Sequence, residues 1–537
     1  MSESESQQLL FRFSVKPERP VISLTIILIG FCLLLITGCA GLPKNVNLNP
    51  TYAIRDGQET ALGMALDKQL VDHHGQSGIF LLNNGLDAFV ARALLTRMAE
   101  RSIDLQYYVF HQDTVGHLLI NELLMAADRG VRVRMLIDDM YGSEADDVWT
   151  ALDGHPNIDV RLFNPFSRSV PKSLQWITRF KDLNHRMHSK SFTVDNQATI
   201  LGGRNIGDEY FEANPKVAFV DLDVLAIGAV VPEASKAFDQ YWNSENAYPA
   251  SVLARPATSE QLAELKDKIE QASQEKNTTR YVEALKSSEF ARALRQGSAR
   301  FEWAQAKVMY DSPEKKARGE NWKAELLVSQ LLPYLEKVTD ELIIVNPYFV
   351  PGKKGADALC GLSENGVKVS ILTNSLASND VTAVHAGYAR YRKKLLKCGV
   401  ALYELNEDIR KKAGNTHAWV PGLSKSSLHA KTMALDKKAM FVGSMNFDQR
   451  SLNINNEIGI LFFNPEITGK KAQFFVENIE EAAFRLALKT NNNGSESIQW
   501  HLKEGDKEIV YESEPHVGFW RKLKVGLIRL LPVESLL

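Results

Sequence analysis

The sequence predicts an α/β protein made of two tandem copies of one domain, each a mixed, largely parallel sheet flanked by helices. Apolar, β-branched runs alternate with amphipathic helical stretches, the pattern of strand–helix–strand units. A motif, His-x-Lys-x4-Asp with a Gly-x-x-Asn tail, occurs twice, roughly 240 residues apart. The strands upstream of the motif recur at nearly the same spacing, so a whole domain is duplicated rather than a peptide.

Taken in order, residues 1–39 read as an export segment. Arg12, Lys16 and Arg19 precede the apolar run 21–36, and Thr37-Gly38-Cys39-Ala40 cuts that run off with small residues. This ending is similar to a lipoprotein signal, which makes Cys39 the lipidated first residue of the mature chain. An uncleaved membrane anchor is the alternative, because the polar lead is long and the run approaches spanning length. Either way the protein is tethered in a bacterial cell envelope, with its globular part on the periplasmic side. Residues 40–77 form a linker and helix, and 78–245 the first domain. A charged helical bridge covers 246–325, the second domain 326–490, and a tail 491–537.

Within the repeats, 103–110 echoes 342–349, 131–137 echoes 367–372, and 160–162 echoes 401–403 as buried strands. Stretches 116–129 and 383–397 are the intervening helices. In the tail, Trp520, Leu523, Leu527 and Leu531 recur at helical spacing among Arg521, Lys522, Lys524 and Arg529. Such a helix can lie in an anionic membrane interface or dock on its own domain through the same stripe, and both readings stay open.

Composition narrows the function classes. The 537 residues are 45% hydrophobic, and 63 basic against 65 acidic side chains leave a net charge of −2. That is globular, and it lacks the basic footprint of a duplex-nucleic-acid binder, so no nucleic-acid partner is expected. Cys32, Cys39, Cys360 and Cys398 offer neither a disulfide framework nor zinc spacing, and Cys360 and Cys398 read as buried thiols.

The motifs carry the chemistry. In a strand, residues i and i+2 share a face, so His188 points with Lys190 and His429 with Lys431. The small pairs Gly202-Gly203 and Gly443-Ser444 allow close backbone approach, bringing Asn205 and Asn446 to the same spot. Two imidazoles, two ammonium groups and two amides around one point suit a phosphodiester. One imidazole attacks phosphorus while the other protonates the leaving oxygen, without a metal or cofactor. Asp195 and Asp436, five residues beyond the lysines, read as structural groups closing the turn to the next strand. His73-His74 reads as a surface pair and His185 as a cleft-loop residue. Arg390, Arg392, Lys393 and Lys394 read as a solvated helix face.

These paired motifs resemble those of the phospholipase D superfamily over about residues 78–485, and the run 186–211 is similar to bacterial cardiolipin synthases of the C type. The resemblance implies two phospholipase D-like domains with pseudo-twofold symmetry and an active site at their interface. It makes His188 the nucleophile of a phosphohistidine intermediate and His429 the general acid. It also implies a carboxylate orienting each histidine from a following strand: Asp221 after the first, with Asp223 competing, and Glu457 after the second. The implied activity is a membrane-associated phosphatidyltransferase making cardiolipin from phosphatidylglycerol and a second phospholipid. Its rivals are hydrolysis to phosphatidic acid, a nuclease-type phosphodiesterase, and a noncatalytic lipid-binding protein. Nothing in the sequence identifies a partner protein.

Overall fold

A nine-residue strand joins two copies of one sheet. The computed structural model describes residues 41–43, 46, 48–141, 145–214, 218–274, 278–296, 299–315, 323–408 and 426–529. The expected export segment with Cys39, and Leu531 of the tail stripe, lie outside the described residues.

The first half holds β1 (Ser77–Leu82), β2 (Ser102–Tyr107), β3 (Arg132–Asp138), β4 (Ile158–Phe163), β5 (Ser191–Val194), β6 (Ala198–Gly202), β7 (Ala218–Val220), β8 (Asp223–Gly228) and β9 (Ala247–Pro249). β2, β3 and β4 are parallel neighbours. β5, β6, β8 and β1 extend the sheet beyond β2 in antiparallel pairs, and β9 closes the β4 side. After β10 (Glu302–Tyr310), the second half repeats the plan with β11 (Glu341–Val345), β12 (Lys368–Asn374), β13 (Ala401–Leu405), β14 (Ser426–Leu428), β15 (Thr432–Leu435), β16 (Ala439–Gly443) and β17 (Ile458–Phe463). β11, β12 and β13 are parallel, while β15, β16 and β17 are antiparallel. β18 (Ala483–Thr490), β19 (Glu496–Glu504) and β20 (Lys507–Tyr511) extend the β13 edge.

The start of β10 pairs with β1 and its remainder with β17, so the two halves share one 18-stranded sheet. The stretch 246–325 therefore holds more than charged helices. Its helices (Ser259–Ser273, Thr279–Ser287, Glu289–Arg295) bury Ile269, Tyr281 and Leu285 against the first half and turn their charges outward.

Within the large sheet, parallel pairing among the described residues is confined to three strands per half, less than strand–helix alternation suggests, and one further parallel pair, β7 with β14, joins the halves. The reason is the turn chemistry after each motif strand. Asp195 and Asn196 have φ of 50° and 51°, and Asp436 and Lys437 have 50° and 56°. Two successive residues in the left-handed region make a tight hairpin, which forces antiparallel neighbours. An apolar core of Val224, Ala226, Ile460, Phe462 and Phe475 packs between the halves, fixing their register.

Two local readings are corrected. Cys360, on helix Gly352–Glu364, is bonded to Cys398 at the end of helix Arg392–Lys397, so they are not thiols. The two helices pack side by side and bring the Cα atoms to 5.4 Å, a proximity no spacing reveals. Arg392 is buried, not solvated, and ion-pairs with Glu404 (3.0 Å) and Glu514 (2.7 Å), because it shares the inward face of its helix with Leu395. His73 stacks on Trp303 at 4.1 Å. Among the described residues no helix is long and apolar enough to cross a membrane.

Candidate active site

Each motif histidine stands just ahead of a motif strand, and the other half holds the chain leading into it. The His188 amide donates to Asn456 O (2.8 Å), and the Asn456 amide donates back to Arg186 O (2.9 Å). The His429 amide donates to Val220 O (2.8 Å), continuing the parallel pairing of β7 with β14. The residues after Asn456 and Val220 are Glu457 and Asp221, so each crossing delivers a carboxylate. His188 Nδ1 lies 2.9 Å from Glu457 Oε2, and His429 Nδ1 lies 2.5 Å from Asp221 Oδ2. The carboxylates are thus exchanged relative to the within-half pairing the sequence suggests. Asp223 is bound elsewhere, to Arg92 at 2.8 Å.

A Cβ on Gly203 would stand 2.2 Å from Asp221 Oδ1, so only glycine lets β6 end beneath that carboxylate. At the corresponding place in the second half, the Ser444 hydroxyl donates to Glu457 Oε2. Lys190 and Lys431 are buried, and each ammonium donates to the carbonyl of the histidine two residues earlier.

The two asparagines differ. Asn205 accepts from the Val109 amide (3.2 Å) and donates to Tyr210 OH (2.9 Å), so its amide is largely engaged in bracing. Asn446 Oδ1 is buried without a hydrogen-bond partner among the described residues. Tyr108 meets His188 edge-on at 5.0 Å, and Tyr210 meets His429 at 5.1 Å. Asp195 and Asp436 lie away from this centre. Asp195 accepts from the amides of Glu100, Arg101 and Ser102, and Asp436 from those of Thr339, Asp340 and Glu341, tying each hairpin to the start of β2 or β11.

Burial lowers the pKa of His188 to about 4, opposed by Glu457 and reinforced by the nearby lysines. Burial, then Lys431, lowers that of His429 to about 3. Burial also brings Lys431 down to about 8 and Lys190 well below its usual value. Burial pushes Asp221 upward, but His429 and Lys431 outweigh it and hold the carboxyl at about 2. Burial is likewise outweighed at Glu457, chiefly by His188. Both carboxylates are therefore ionised and both imidazoles neutral, with the Nδ1 hydrogens held by the carboxylates and the Nε2 lone pairs free. An arriving phosphodiester anion raises the basicity of both rings, so it favours the proton that one of them must carry as acid.

These shifts set a pH dependence of stability. A folded histidine pKa below the unfolded 6.5 means the unfolded chain binds more protons between that value and about 4 for His188, or about 3 for His429. The histidine contribution is thus complete above 6.5 and is lost as pH falls through this window. Asp138, Asp311 and Asp448, each raised by burial to about 6, act with the opposite sign. The difference between proteins is therefore the readout. Melting temperature is expected to fall less steeply below pH 6.5 in His429→Gln than in the unaltered protein, checked by thermal melts from pH 4 to 8. Parallel curves would contradict a buried neutral imidazole.

Residues 94–242 and 331–479 each match the family model described as cardiolipin synthase, PLD-like domain. The chain belongs to the phospholipase D-like cardiolipin synthase family. It is 43% identical over 470 residues to cardiolipin synthase C of Escherichia coli (strain K12), covering 87% of this chain and 97% of that protein. Its identity to a cardiolipin synthase of Oceanobacillus iheyensis is 24% over 425 residues, 77% of this chain and 73% of the relative. The crystal structure of phosphatidylserine synthase from Haemophilus influenzae Rd KW20 shares the fold, with a TM-score of 0.53 at 13% identity, over 89% of this chain and 100% of that one.

In this cardiolipin synthase family member, several supporting residues escape sequence reasoning. Asp138 ends β3 and accepts from the Met187 amide at 2.7 Å, while Asn374 ends β12 and accepts from the Leu428 amide at 2.9 Å. Both hold the residue just before a motif histidine. A polar residue closing the same apolar parallel strand in each half was the available signal. Asp311 accepts from the Glu457 amide (2.9 Å) and ion-pairs with Lys315 (3.0 Å). His185, which the sequence reads as a cleft-loop residue, has Nδ1 2.9 Å from Ile454 O, at the seam between the halves.

Proposed function

We propose that this protein is a membrane-associated phosphatidyltransferase making cardiolipin from phosphatidylglycerol and a second phospholipid. The observation that carries the reading is the exchanged pair of carboxylate-held histidines with two buried lysines at one centre. Near full-length similarity to a cardiolipin synthase C supports the substrate class. His188 Nε2 attacks phosphorus, the bond to the departing head-group oxygen breaks, and His429 gives that oxygen its proton. His429 then takes the proton of phosphatidylglycerol's terminal hydroxyl. The new oxygen–phosphorus bond forms as the phosphorus–nitrogen bond to His188 breaks. Lys190 and Lys431 face the nonbridging oxygens and the developing charge, and Asn446 serves the same oxygens through its Nδ2 amide group, which donates.

The chain is held at the membrane through lipidated Cys39 or an uncleaved anchor. The Cys360–Cys398 bond supports an oxidising, periplasmic placement of the globular part. The test is product analysis with phosphatidylglycerol in mixed micelles, alone and with phosphatidylethanolamine. Cardiolipin is the expected product. Phosphatidic acid alone would make the protein a phospholipase, with water replacing the alcohol, and no lipid turnover would reject the reading.

A further inference from the structure

The C-terminal helix (Phe519–Ile528) docks on the second half through a stripe other than the one its sequence advertises. Val525 is buried against Leu376 and Ala386, with Val517 and Ile528 packed beside it. The Arg521 guanidinium donates to Asn379 O. The opposite face is left bare: Phe519 is 70% exposed, Trp520 78%, Leu523 42% and Leu527 59%. Isolated exposed apolar residues are ordinary, but four on one short helix form a patch of the kind that meets another apolar phase.

Charge says which phase. Lys524 on this helix and Arg529 just after it are exposed, as are Lys393, Lys394 (paired with Asp357) and Lys397 (paired with Glu496 at 2.7 Å) on the neighbouring helix Arg392–Lys397. A cavity of about 400 Å³ between the two helices is lined by Arg390, Arg392, Lys393, Lys522 and Arg529 against Glu512 and Glu514, an excess of basic groups. In a chain of net charge −2 this basic concentration is local. Apolar side chains ringed by cations complement an anionic bilayer, with acyl chains beneath phosphates.

Position supplies the purpose. Asn379, bound by Arg521, adjoins Asp380, which accepts from Tyr348 OH at 2.7 Å and acts electrostatically on Lys431. The helix thus rests on the segment that borders the catalytic centre. On the other half, exposed Tyr141 packs edge-on to Tyr108, which packs against His188.

We propose that the C-terminal helix is an interfacial anchor. It lies on an anionic phospholipid bilayer with Phe519, Trp520, Leu523 and Leu527 at the acyl boundary and the surrounding lysines against phosphate, so that the active-site mouth faces the membrane. Its role in delivering lipid rests on the proposed function, whereas its binding does not.

The test places the full chain in vesicles of brominated phosphatidylglycerol and phosphatidylcholine and reads tryptophan fluorescence. Residues 1–39 contain no tryptophan, so the N-terminal segment is silent. Bromine quenching is expected in the unaltered protein, largely absent in Trp520→Phe, and weaker on vesicles of brominated phosphatidylcholine alone. Equal quenching in Trp520→Phe would overturn the anchor. So would concentration-dependent protection of Trp520 from acrylamide without lipid, which would make the face a contact between copies. The double variant Leu523→Ser/Leu527→Ser is expected to turn over vesicle-held phosphatidylglycerol at least about tenfold more slowly, with its rate on monomeric short-chain phosphatidylglycerol unchanged. Equal losses on both substrates would contradict an interfacial role. Bromine quenching without any turnover would keep the anchor and reject the transferase reading.

Discussion

Replacing His188 or His429 with alanine is expected to lower phosphatidyl transfer by at least roughly 10⁴-fold, since in the proposed mechanism each ring acts in both half-reactions and neither can stand in for the other. Both imidazoles are buried and fixed through Nδ1 by a carboxylate of the opposite half, so a neighbouring ring has no freedom to move over. The two losses differ in kind. Without His188 there is no atom to carry the phosphatidyl group. Without His429 the first bond can still break when the leaving group needs no proton. A p-nitrophenyl phosphodiester is therefore expected to give His429→Ala a burst of about one p-nitrophenol per site, and His188→Ala none. Rapid mixing with absorbance detection checks this, and substantial steady turnover of natural lipid by either variant would contradict the two-histidine mechanism.

The exchanged carboxylates give the second large effect. Glu457→Gln and Asp221→Asn should each cost roughly 10²–10⁴-fold, because an amide cannot hold the tautomer or stabilise the imidazolium as a carboxylate does. The geometry says which step each one impairs. Glu457 serves His188, so its loss should slow the burst whatever the leaving group. Asp221 serves His429, so the p-nitrophenyl donor should restore most of the burst in Asp221→Asn. Pairing within each half predicts the reverse. Burst amplitudes and rates for the two variants on natural and activated donors separate the alternatives.

Much of the centre was legible in the chain. The two His-x-Lys motifs, their separation, and the strand periodicity upstream follow from residue patterns that local physics enforces. The turn after each motif is equally local: Asp195 and Asp436 sit where two residues must take positive φ. The carboxylate exchange is different. Asp221 meets His429 only because β7 pairs with β14 of the other half, and strand order between halves leaves no mark on either segment alone. The same holds for Cys360 and Cys398, joined by helix packing, and for Arg392, whose partners Glu404 and Glu514 lie on distant elements. β10 was hidden because the charged helices before it dominate the composition of the stretch that contains it. In the tail, the pattern foresaw an amphipathic helix, but not that Val525 would dock it and leave Trp520 bare.

The most direct test of the shared two-histidine centre is to react His429→Ala with a labelled phosphatidyl donor bearing a p-nitrophenyl leaving group, digest it under alkaline conditions, and locate the adduct by mass spectrometry. A phosphatidyl group on His188 is the predicted result. An adduct on any other residue, or none alongside a normal burst, would contradict the account.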